Sequence, residues 1–177
     1  VRNRLRQLYD YARYGAPIRR GEFFFFQKND GLQNQSVWYV QKGLNGKPEV
    51  LLDPNKLSPD GTTRLDSFIL SKDGKHVVLA LSEGGSDWKT VQVLDVASRK
   101  TLQDELKWVK VSEFAWAGNG FFYSRYPEPK DGNVLSAKNE NHQVFFHKVG
   151  TAQSQDALIF EDPANPGRYL ESFLVES

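Results

Sequence analysis

Any chemistry in this sequence must come from a short roster: three histidines, a serine in a glycine-rich turn, and scattered carboxylates. With no cysteine there is no thiolate nucleophile, no disulfide framework and no thiolate zinc site. A serine nucleophile needs Gly-x-Ser-x-Gly on a sharp strand-to-helix turn. The nearest text, Gly84-Gly85-Ser86-Asp87-Trp88, lacks the second glycine and runs into a strand. His142 and His147 stand at opposite parity along one strand, so they face opposite sides and cannot share a metal. His76 opens another strand after an Asp-Gly turn. No His-Glu-x-x-His and no carboxylate cluster accompanies these side chains, so they read as surface or hairpin histidines rather than ligands or general bases. The expectation is no catalytic residue, no metal and no cofactor in this stretch.

The composition narrows the partners. With 23 Lys and Arg against 22 Asp and Glu in 177 residues, the formal charge is +1, which argues against nucleic acid as a partner. No apolar run approaches the roughly 18 residues of a membrane span, and no signal peptide opens the chain. The chain is expected to be soluble, with cytoplasm and periplasm equally open to a Cys-free protein. Apolar residues make up 39%, an ordinary globular share, and a chain of this length buries a core without staples.

The elements follow from 12 Phe, 7 Tyr and 4 Trp set among β-branched neighbours. Runs such as Phe23–Phe26, Val37–Val40, Val77–Leu81, Val91–Val96, Phe121–Tyr123 and Val144–Phe146 are bounded by Asn-Gly, Asp-Gly and Gly-Asn-Gly turns, the signature of strands and hairpins. One helix is predicted, from Arg2 to about Tyr11. Three stretches repeat one order of strands: Phe23–Gln27, Ser36–Lys42 and Glu49–Asp53; His76–Ser82, Lys89–Val96 and Arg99–Leu102; Gly120–Tyr126, His142–Val149 and Asp156–Glu161. Asp66–Leu70, Glu113–Ala117 and Arg168–Val175 read as inner strands between them. Four antiparallel strands per roughly 45 residues is the blade of a β-propeller, a recurrence that a β-sandwich does not predict. The reading is all-β: residues 1–15 a linker helix, residues 16–177 an incomplete propeller of about three four-stranded blades and the start of a fourth. Three blades do not close a ring, so this stretch is expected to belong to a longer polypeptide, in keeping with its start at Val1 and its stop within a strand.

A series of motifs then carries a family resemblance. Gly31-Leu32-Gln33-Asn34-Gln35 precedes a strand ending Tyr39-Val40-Gln41, followed by Leu52-Asp53-Pro54-Asn55, Asp60-Gly61-Thr62 and Ser71-Lys72-Asp73-Gly74. Ser86-Asp87-Trp88, Val109-Lys110-Val111-Ser112 with Ala115-Trp116, and Phe122–Pro127 continue the order. His147-Lys148-Val149-Gly150-Thr151 with Gln153-Ser154 and Asp156 completes it. From Leu8 to Glu161 the chain resembles the N-terminal part of the propeller of prolyl oligopeptidases, with Gly31–Gln35 favouring the proline-specific branch over its sister peptidases. The resemblance implies a parent serine peptidase that hydrolyses short proline-containing peptides after proline. Its triad would lie in an α/β-hydrolase domain of the same polypeptide, absent from this stretch, and the propeller would gate and wall the active-site cavity.

Two substrate-binding residues are implied by the same resemblance. Asp87 matches a propeller carboxylate that faces the cavity and pairs with an arginine of the peptidase domain; its ordinary reading is an Asx-turn residue. Val111 matches a position where the family usually offers an aromatic to an outer subsite, and Val gives less stacking area there; its ordinary reading is core packing. Trp88 and Trp116 read as blade core, Phe23–Phe26 as a buried strand, and Tyr126–Asn141 as a long polar loop. The competing hypothesis is a stand-alone, propeller-like interaction module that self-associates to close.

Overall fold

A computed structural model of the chain describes residues 2–129 and 138–173. Helix α1 (Arg2–Tyr9) leads into β1 (Arg13–Tyr14), β2 (Ile18–Arg20), β3 (Phe23–Asn29), β4 (Val37–Lys42) and β5 (Glu49–Leu52). These strands form the first antiparallel sheet, in which β1 and β2 share one edge of β3. The second sheet runs in chain order through β6 (Thr63–Leu70), β7 (His76–Glu83), β8 (Lys89–Asp95) and β9 (Lys100–Val109). The third does the same with β10 (Ala115–Ala117), β11 (Gly120–Arg125), β12 (Gln143–Lys148) and β13 (Ala157–Glu161). Successive antiparallel meanders preceded by a short helix are the partial propeller expected. Among the described residues no helix is long and apolar enough to cross a membrane.

Several details differ from the sequence reading. Helix α1 ends at Tyr9 rather than about Tyr11, and residues 1–15, read as a linker helix, also supply β1, which with β2 makes the first sheet five-stranded rather than four-stranded. β9 does not stop at Leu102 but continues to Val109, because Asp104, Leu106 and Val109 fall on buried positions while the charged Glu105 and Lys107 fall outside. Residues 168–173 carry no strand; Val175 lies outside the described residues, as does 130–137 of the expected long loop. Within Phe23–Phe26 only Phe25 is fully buried, and Phe23 is exposed.

The core is two seams. In β7 both faces are apolar: Val77, Leu79 and Leu81 meet Phe25, Val40 and Leu51 of the first sheet. Val78 and Ala80, with Val91, Val93 and Leu106, meet Trp116, Phe121, Tyr123 and Phe145 of the third. A strand buried on both sides loses the polar alternation of a half-buried one, which is why Val77–Leu81 is a continuous apolar run. Two tryptophans cross these seams: Trp38 stacks on Phe68, and the Trp116 Nε1–H donates to the Ile69 carbonyl at 2.9 Å.

The second seam also holds a buried polar lock. His147 on β12 is fully buried and lies between two carboxylates: Nδ1 is 2.7 Å from Asp156 Oδ1, and Nε2 is 2.8 Å from Asp104 Oδ1 across the seam. The Gly150 N–H also donates to Asp104, and the Tyr123 hydroxyl donates to Asp156 at 2.7 Å. Gln153 ties both Lys107 backbone groups of β9 from the third sheet. Burial opposes the imidazolium, but hydrogen bonds and charges of Asp156 and Asp104 outweigh it and raise the His147 pKa. Burial and the Asp156 carboxylate push the Tyr123 phenol upward as well.

His147→Leu leaves two carboxylates buried without their counter-ion and should cost about 3–5 kcal/mol of unfolding free energy in chemical denaturation. A raised folded-state pKa means the stabilisation is full below the unfolded value of about 6.5 and fades as pH rises through the folded value. The stability gap between the parent protein and His147→Gln should therefore narrow with rising pH; a gap that widens would rule out a protonated bridge.

Candidate functional site

Alternation of strand direction brings the β5–β6, β7–β8 and β9–β10 connections to one end of the sheets. There they border a cavity of about 760 Å³ lined by Arg64, Asp66, Asp87, Lys89, Lys110 and Val111, among others. Asp87 and Val111, more than twenty residues apart, thus share one cavity.

The β7–β8 turn explains why Asp87 is presented. Gly84 and Gly85 both adopt positive φ, which glycine tolerates without strain. The Ser86 N–H donates to the Glu83 carbonyl, and the Ser86 hydroxyl accepts the Trp88 N–H at 3.1 Å. Ser86, not Asp87, therefore supplies the side-chain bond that closes this turn, and Ser86 is a turn residue in a strand-to-strand connection. The Asp87 carboxylate is 79% exposed and ion-paired with Lys110 at 3.3 Å. Lys110 is only 20% exposed, and its ammonium also lies over the Trp88 ring. Arg64 pairs with Asp66 on the same wall. The cavity presents both signs of charge, Arg64, Lys89 and Lys110 beside Asp66 and Asp87, which does not favour a polyanion.

Val111 sits on a strained corner. Trp108 has φ 63° and Val111 φ 52°, in the left-handed region that aromatic and β-branched residues avoid. Such geometry persists when neighbours over-determine it, and here residues at the end of β11 and just before β12 do. The Tyr126 N–H donates to the Trp108 carbonyl at 3.0 Å, and the Ser124 N–H donates to Ser112 Oγ at 2.9 Å. His142 Nε2 meets the Lys110 carbonyl at 3.1 Å while its Nδ1 accepts the Leu170 N–H at 2.9 Å. A carbonyl only accepts and an N–H only donates, so this ring is the neutral Nε2–H tautomer. Burial lowers its pKa, against the Lys110 carbonyl bond and the charge of Glu171.

Two histidine expectations are overturned: His142 and His147 are interior residues, 2% and 0% exposed. Each satisfies both ring nitrogens with protein partners, which is the condition for burying an imidazole. Trp116 is core, but Trp88 is only half-buried, set edge-on to Trp108 and Tyr126 beside the cavity. Among the described residues no group of three His, Asp or Glu is placed to hold a metal. Sequence reasoning missed Asp104, Lys110 and His142. Asp104 had a readable signal, since it occupies the phase of Leu102 and Leu106 and so must bring a buried carboxylate a partner. His142 and Lys110 meet across a long separation and left no local signal.

Comparison with known proteins adds ancestry. Residues 1–176 match the family model of the prolyl oligopeptidase N-terminal β-propeller domain. A prolyl endopeptidase of Elizabethkingia miricola is 46% identical over 177 residues, covering 99% of this chain and 25% of its own length. A solved prolyl endopeptidase structure superposes with a TM-score of 0.83 at 40% identity, covering 94% of this chain and 23% of that one. Prolyl oligopeptidase B of Galerina marginata, bound to a 35mer hydrolysis and macrocyclization substrate, superposes with a TM-score of 0.88 at 29% identity, covering 97% and 26%. The chain spans about a quarter of the length of these relatives.

Because the Val111 side chain is partly exposed and its backbone left-handed, Val111→Gly should raise the unfolding free energy by about 1 kcal/mol. Val111→Ile should not; equal stability of the two variants in denaturant titration would contradict a strained corner.

Proposed function

The chain belongs to the prolyl oligopeptidase family, within its N-terminal β-propeller domain, and from that premise we propose that it walls and gates the active-site cavity of a peptidase acting on short proline-containing peptides. One observation carries the reading: Asp87 and Val111, the two positions matched to the family's substrate-facing propeller residues, line a single charged cavity at one end of the sheets. The reacting groups belong to an α/β-hydrolase domain of the same polypeptide. Asp87 reaches out from its turn to an arginine of that domain and orients its guanidinium for a substrate carbonyl. Lys110 holds the carboxylate in place from the propeller side. Val111 fills part of an outer subsite with a smaller apolar surface than an aromatic gives, so the discrimination in favour of bulky groups is weaker. A cavity closed by the propeller excludes bulk water and folded proteins, and so strengthens the electrostatics within.

A second reading, self-association of a stand-alone module, is favoured by the end faces of the stack. Tyr14, Leu44 and Val50 on the first sheet and Ile159, Phe160 and Phe173 beside the third are exposed. Neighbouring blades cover such faces in a longer propeller; copies of this chain would cover them in a module.

In a polypeptide of the relatives' length, Asp87→Asn should lower kcat/KM for proline-containing peptide amides about tenfold, the size expected for losing one charged hydrogen bond. The 177-residue chain alone should neither hydrolyse Gly-Pro amides nor react with a fluorophosphonate probe. Labelling at Ser86 would overturn the assignment, and a discrete oligomer of the isolated chain would favour the module.

A further inference from the structure

We propose that His142 is the positioning residue of the Trp108–Ser112 corner: its neutral imidazole, bonded to the Lys110 carbonyl and the Leu170 N–H, sets where Lys110 and Val111 stand in the cavity, and its protonation lets the corner go. The inference rests on the reading that this cavity meets substrate. The corner holds two residues in backbone conformations that their side chains disfavour, so it relaxes unless it is tethered. The Tyr126 and Ser124 N–H groups tether its two ends, at Trp108 and Ser112. His142 tethers its middle, at the residue whose ammonium holds Asp87 and whose neighbour is Val111. Of these three tethers only the imidazole titrates near neutral pH.

Protonation puts a hydrogen on Nδ1, directly opposite the Leu170 N–H, and replaces a hydrogen bond by a donor–donor clash. Tyr126 stacks on the ring with centroids 4.4 Å apart, and Tyr169 meets it edge-on at 6.2 Å. The Glu171 carboxylate favours the charged ring, whereas burial disfavours it more strongly. The ammonium of Lys110 is directed away, to Asp87 and the face of Trp88. A buried ring whose charge is disfavoured stays neutral at physiological pH and switches only on acidification.

The test uses a polypeptide of the relatives' length and compares a long proline-containing peptide amide, which spans the cavity, with a minimal Gly-Pro amide. In the parent enzyme the long-to-short ratio of kcat/KM should fall as pH is lowered below about 6.5. His142→Asn keeps an acceptor for the Leu170 N–H but does not reach the Lys110 carbonyl. It should lower the ratio about three- to tenfold through KM rather than kcat, the size expected for one hydrogen bond. His142→Gln, whose amide nitrogen reaches the Nε2 position, should restore most of the ratio and make it independent of pH. An unchanged ratio in His142→Asn, or equal losses on both substrates, would overturn the inference, as would a pH dependence that survives in His142→Gln. If Val111→Ala moves the ratio while His142→Asn does not, only the role of His142 falls. If neither moves it, the cavity reading falls with it.

Discussion

An imidazole pinned between two carboxylates, with no water-exposed face, is the constraint on which the arrangement of the second and third sheets depends. Asp104 reaches across from β9, Asp156 and His147 come from the third sheet, and Tyr123 and Gly150 occupy further carboxylate lone pairs. Apolar packing alone brings two sheets together but tolerates sliding, because Val, Leu and Phe contacts are nearly degenerate over small shifts. A buried charge with fixed hydrogen-bond directions does not tolerate it. The lock ties β9, the strand that runs into the β9–β10 corner, to the third sheet.

From that register the cavity follows. The corner is held in a left-handed conformation by backbone and imidazole donors of the third sheet, while Asp87 projects from a glycine turn of the second. Lys110 joins the two, since its backbone carbonyl belongs to the tether and its ammonium to the Asp87 ion pair. The polar wall is thus built from two loops distant in sequence but fixed to one seam, a more exact placement than either loop achieves alone.

Much of this was legible in the amino-acid order. Strand positions, the repeat and the turn at Gly84–Ser86 follow from runs of β-branched and aromatic residues between Asp-Gly and Gly-Gly pairs. Asp87 and Val111 were singled out one by one from motif order, which encodes ancestry rather than local propensity; that they line one cavity is seen only in the fold. What stayed hidden was long-range and polar. His142 and His147 read as surface residues because nothing adjacent reveals that Lys110, Leu170, Asp104 and Asp156 will satisfy their ring nitrogens. The length of β9 was obscured by Gln103-Asp104-Glu105, a polar run in which one carboxylate points inward and its neighbours outward.

The cross-links between sheets run almost wholly through side chains: Gln35 to the Thr63 and Leu65 backbone, Arg20 to the Ser71 carbonyl, Trp116 to Ile69, and His147 to Asp104. The Tyr126 N–H to Trp108 carbonyl bond is the backbone exception at the second seam. Each sheet is therefore a stiff plate with its ladder sealed internally, and compliance is concentrated at the seams. Plates joined this way can tilt about their side-chain links while every strand ladder stays intact. Any tilt at the seam beside Asp87 and Val111 would work against the apolar contacts that fill that seam and a handful of polar side-chain links, while the ladders of the blades stay untouched.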